Sequence, residues 1–72
     1  MVKTSYKKLW KMLIDRDMTR TDLRLRAGIS SSSLAKLGKD ENVSMGVLLK
    51  ICSVLDCDLC EIVETIRNNQ ET

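Results

Sequence analysis

Histidine, proline and phenylalanine are absent from this 72-residue chain, and its aromatic residues are Tyr6 and Trp10 alone. Each absence excludes a class of chemistry. Without histidine, general-base work falls to carboxylates or lysines, and the acids here sit at helix caps and exposed positions without converging on one site. Cys57 and Cys60 have metal-site spacing, but with Cys52 they make only three cysteines, so a four-ligand zinc site fails on ligand count. A redox pair would need a βαβ context that nothing here supplies, and the three thiols are expected to serve as small core hydrophobes. There is no phosphate-binding glycine loop, and one tryptophan makes no stacking platform for single strands. No apolar run approaches the roughly 20 residues of a membrane span, and the basic start is followed by more lysines rather than a signal segment. The expectation is a cytoplasmic protein that is not an enzyme and carries no cofactor or metal.

What is present favours helices. Leucine, lysine, arginine and methionine are plentiful, and β-branched residues are scattered. The length suits one domain over residues 1–72, with 68–72 as a frayed tail, and leaves no room for an effector-sensing domain. The net charge of +2 is unevenly placed: residues 1–50 carry 11 Lys and Arg against 5 Asp and Glu, net +6, whereas residues 51–72 carry 1 against 5, net −4. A basic first part suits a polyanion, with the acidic end turned away; solvated helix faces account for the same charges.

The stretch Thr19–Lys39 reads as two short helices joined by a glycine. Thr19 is a good N-cap with Asp22 three residues on, and Leu23 and Ala27 share a face. Gly28 sits where a left-handed stop is wanted. Ile29 turns inward, and Ser30 caps a second helix whose Leu34 and Leu37 form one buried stripe. The pattern Thr-x-x-x-Leu-x-x-x-Ala-Gly-Ile-Ser-x-x-x-Leu-x-x-Leu resembles the helix-turn-helix of the Cro and lambda-repressor class of DNA-binding domains. That resemblance continues through Asn42-Val-Ser44, the apolar run Val47–Leu55 and Asp58–Ile62. It implies an all-α fold of five helices. The chain departs from the usual family pattern at Arg24, usually a small alanine, at Arg20, commonly glutamine, and at Gly38, usually a long polar residue.

Helical spacing places the first helix at Ser5–Asp15, burying Tyr6, Leu9, Trp10, Leu13 and Ile14 and exposing Lys7, Lys8 and Lys11. In the second, about Arg20–Ala27, the resemblance makes Arg20 and Thr21 candidates for phosphate contact at a positive helix end; Leu25 has no evident role. The third, about Ser31–Gly38, is the expected recognition helix. At about 100° per residue, Ser32, Ala35, Lys36 and Lys39 point away from the Leu34–Leu37 stripe, with Ser31 and Ser33 on the flanks. Small hydroxyls let the backbone approach base edges, Ala35 suits a thymine methyl, and Lys36 reaches a guanine or a phosphate. Asn42, in the polar turn 39–42, matches a position where the family often contacts the backbone; turn chemistry explains it equally well. Ser44 caps a fourth helix with Leu48, Ile51, Cys52 and Leu55 inside. Asp58 and Glu61 open a fifth, with Leu59, Ile62, Val63 and Ile66 inside.

The reading is a sequence-specific regulator of transcription that binds double-stranded DNA through its third helix. One short helix with few bidentate base readers suggests a homodimer on a two-fold symmetric site, pairing through the C-terminal end and Ile66. No small-molecule effector is evident. The alternative is a protein-interaction module, such as an antitoxin or regulatory subunit, on the same helical fold.

Overall fold

The computed structural model describes residues 2–67. Its elements are β1 (Val2–Ser5), α1 (Lys7–Asp15), α2 (Arg20–Ala27), α3 (Ser31–Gly38), α4 (Met45–Leu55), a 3₁₀ turn (Leu59–Glu61) and β2 (Glu64–Arg67). The fold of the described residues is thus a small helical domain of four α-helices with a two-stranded sheet, not the expected all-α fold of five helices. Strands β1 and β2 pair antiparallel, with Val2 opposite Arg67 and Ser5 opposite Glu64. The expected frayed tail, 68–72, lies outside the described residues.

The missing fifth helix has a local cause. Asp58 makes no side-chain cap, and the backbone closes one 3₁₀ turn before it extends. Ile62, Val63, Thr65 and Ile66 are all β-branched, which favours extended backbone once Val2–Ser5 offers a strand to pair with. Apolar residues at 59, 62, 63 and 66 fit a helical stripe equally well, because so short a run does not separate the two periods. Ile62 is fully buried, whereas Ile66 is exposed.

The same pairing takes Ser5 out of the first helix. α1 begins at Lys7, with Tyr6 at its N-cap providing no side-chain cap. A distant acceptor fills that role: the Asp40 carboxylate takes the Tyr6 amide hydrogen at 3.1 Å. The Tyr6 hydroxyl donates to the Glu41 carbonyl at 2.8 Å, and the Thr4 hydroxyl to the Asp40 carbonyl at 3.0 Å. The turn after α3 is therefore bolted to the start of α1.

The core joins Tyr6, Leu9 and Leu13 to Leu23, Ile29, Leu37, Leu48, Ile51, Leu55 and Ile62. Two positions of the expected α1 face differ. Ile14 is 76% exposed, because Leu9, Leu13 and the half-buried Met12 centre the buried arc and leave residue 14 outside it. Trp10 is half-buried and packs on the core from its edge. Cys52 and Cys57 likewise pack against the core, but Cys60 is exposed and is no core residue. Burial pushes the Cys57 thiol up to about 11, with Cys52 and Glu61 acting in the same direction.

Left-handed turns end three of the four helical segments at aspartate, Asp17, Asp40 and Asp56, with φ between 51° and 57°. Aspartate tolerates this region better than most residues do. Gly28 alone supplies the conformation without a side chain, at φ 69°.

Candidate nucleic-acid interface

The expected helix-turn-helix is present at the expected positions. Thr19 and Asp22 form a reciprocal capping box, the Asp22 amide donating to the Thr19 hydroxyl at 3.0 Å and the Thr19 amide to the Asp22 carboxylate at 3.1 Å. These bonds hold the Asp22 carboxyl below its ordinary range, the backbone bond contributing most, the hydroxyl next, and Arg26 adding a smaller favourable charge. At the other end of α2 the Gly28 and Ile29 amides both donate to the Arg24 carbonyl, at 3.0 and 3.2 Å, and Ile29 drops into the core. Arg24 is half-buried, and α2 packs on both α3 and α4 with this arginine in place of the family's small residue.

α3 starts as expected at Ser31, with the Ser30 hydroxyl accepting the Ser33 amide at 3.1 Å. Leu37 is fully buried and Leu34 half-buried, which confirms the helical phase. Ser31, Ser32, Ala35, Lys36 and Lys39 are exposed; Ser33 is half-buried. The serine hydroxyls are not equivalent. Ser30 and Ser32 share a bond at 3.0 Å, and Ser30 donates to Ser33 at 3.1 Å, so among the described residues Ser31 has the hydroxyl that no side chain occupies.

The flanking candidates fall in two places. Arg20 and Thr21 lie exposed on the first turn of α2. Asn42 lies beyond α3, where its side-chain oxygen accepts from the Thr4 hydroxyl at 3.4 Å, tying it to β1. Arg20 is the residue that the fold brings against α3. Its guanidinium lies 3.8 Å from the Trp10 ring centroid, and its Nη1 lies 3.3 Å from where a Cβ on Gly38 would stand. Beside it opens a cleft of about 430 Å³ that Lys7 and Asp40 also line. Trp10 was invisible as a site residue in the sequence: its spacing with Leu9 and Leu13 marks it as core, and no periodicity links it to Arg20 ten positions on.

Among the described residues, no cluster of His, Cys, Asp and Glu is arranged to hold a metal ion, and no helix is long and apolar enough to cross a membrane.

Two helices meeting through a left-handed glycine, with an exposed polar and basic face on the second, define a helix-turn-helix DNA-binding domain. The chain belongs to the Cro/C1-type HTH DNA-binding domain family, whose model matches residues 8–68. It is also similar to a solved structure, that of the transcriptional regulator VanUg. The two are 54% identical and superpose with a TM-score of 0.90, over 93% of this chain and 89% of that one. No curated protein matches the chain.

Proposed function

We propose that residues 1–72 form one domain that works in the cytoplasm as a sequence-specific, non-enzymatic regulator of transcription, needing neither cofactor nor small-molecule effector. α3 enters the major groove of double-stranded DNA. Ser31, Ser32, Ser33 and Lys36 meet base edges, and Arg20, Thr21, Lys39 and Asn42 meet the backbone. The observation that carries this reading is the split of α3: Leu37 is sealed in the core while Ser31, Ser32, Ala35 and Lys36 face outward uncovered. Its similarity to VanUg, a transcriptional regulator, favours the same role for this chain.

The working unit on DNA is a homodimer, because one eight-residue helix reads only a few base pairs. The pairing surface is β2, in place of the expected fifth helix; Ile66, 40% exposed, also lines the cleft beside Arg20, so pairing there has to leave that cleft open to DNA. Two-fold pairing would set two recognition helices about 34 Å apart on one DNA face.

Binding to the DNA flanking its own gene, titrated over salt concentration, tests the reading. Affinity that falls steeply with salt supports it. A stable complex with another protein, insensitive to salt, and no duplex binding would favour the interaction module instead.

A further inference from the structure

We propose that Trp10 and Gly38 hold the Arg20 guanidinium as a preset clamp for a DNA backbone phosphate; this rests on the DNA-binding reading above. An arginine on the first turn of an exposed helix ordinarily samples many rotamers, and ordering it on binding costs affinity. Here the guanidinium is already stacked on the indole, 3.8 Å from the ring centroid. Stacking engages the face of the group and leaves the N–H donors at its edge available. Among the described residues that side chain donates no hydrogen bond.

Gly38 is the third part. A Cβ there would stand 3.3 Å from Arg20 Nη1, close enough that the guanidinium would have to shift by a few tenths of an ångström, and a longer side chain would compete with it for the space. Two of the chain's departures from the family pattern, arginine at 20 and glycine at 38, are thereby one feature: the missing side chain on α3 makes room for the long one on α2. The clamp faces a cleft to which Lys7 brings a second cation, and Asp40, its one lining carboxylate among the described residues, already accepts the Tyr6 amide hydrogen. A phosphate at its mouth meets two positive groups, Arg20 and Lys7, against the one charge of Asp40.

Phosphate contacts act on any sequence, so the test uses a short duplex of arbitrary sequence, titrated over salt with four variants. Arg20→Gln should lower the salt slope by about one unit. Trp10→Leu should weaken binding roughly two- to five-fold, the scale of an exposed cation–π contact, and Trp10→Phe should restore most of it. Gly38→Leu gives the decisive split. Leucine is the better helix former, so thermal stability should hold or rise while duplex affinity falls. In an Arg20→Gln background the same Gly38→Leu change should cost nothing further, which a direct clash with DNA would not show.

The single tryptophan supplies a readout that needs no DNA, taken on variants whose helical spectrum is intact. Its emission in the free protein should change alike in Arg20→Gln and Gly38→Leu. Steep salt-dependent binding by the unaltered chain with slope, affinity and emission all indifferent to these substitutions overturns the clamp alone. Absence of salt-dependent binding by the unaltered chain overturns the DNA reading, and the clamp with it.

Discussion

The Asp40 carboxylate accepts the amide hydrogen of Tyr6 at 3.1 Å while its own backbone sits in the left-handed region at φ 57°. One residue thus ends the turn after α3 and caps α1 from outside. Asp56, which ends α4 with the same backbone hand, has no such partner among the described residues, and its carboxylate lies at the negative end of a helix.

The two aspartates should therefore respond oppositely to glycine. Asp56→Gly relieves a left-handed side chain and an unfavourable charge, and should stabilise the fold by roughly 0.5 kcal/mol. Asp40→Gly relieves the same backbone but orphans the Tyr6 amide, and should destabilise by about 1 kcal/mol or more. Urea midpoints of the two variants check the sign of each.

The capping box makes stability depend on acid pH. The folded state lowers the Asp22 pKa, so its contribution is present above the ordinary carboxylate range and is lost as pH falls through the depressed value. Denaturation midpoints of the unaltered chain and Asp22→Asn should differ at neutral pH and converge in acid. A gap that persists in acid would show that the carboxylate's charge is not the cause.

Cys57 sets the alkaline limit in the opposite sense. Its folded pKa is raised from 9.0 to about 11, so the stability it contributes is complete below pH 9 and is lost as pH rises through 11. Cys57→Ser should weaken the dependence of stability on pH across that window. At pH 8 the Cys57 thiolate fraction is about one in a thousand, so iodoacetamide should label the exposed Cys60 well before it. Mass spectrometry after partial labelling reads the order.

Lys36 and Lys39 are exposed, and removing either should leave helicity unchanged. A lysine that meets phosphate should take about one unit from the salt slope when replaced by alanine, and lower affinity alike on all sequences. That is the expectation for Lys39; Lys36, placed at base edges, should on replacement leave the slope nearly intact and narrow the gap between operator and arbitrary DNA. Binding isotherms on both duplexes at several salt concentrations separate the two roles.

The helix-turn-helix was legible because its signals are local. Thr19, Asp22, Gly28, Ser30 and Ser44 each act within a few residues of themselves, and each does in the fold what its chemistry dictates. The two ends are not legible in this way because their structure depends on partners about 60 residues away: Val2–Ser5 and Glu64–Arg67 are strands only by virtue of each other. The same holds at the candidate interface. Exposure of Ser31, Ser32 and Lys36 follows from helical phase, whereas the stacking of Arg20 on Trp10 beneath Gly38 joins three elements and leaves no periodic trace.

Ser32→Glu tests the central claim, that the exposed face of α3 meets DNA, most directly. Ser32 is exposed, so a carboxylate there costs the free protein little, but on DNA it would face phosphates and acceptor-rich base edges. The measurement is duplex affinity of Ser32→Glu beside the unaltered chain, with circular dichroism confirming the fold. The account predicts an intact helical spectrum and loss of binding; an intact spectrum with undiminished affinity would contradict it.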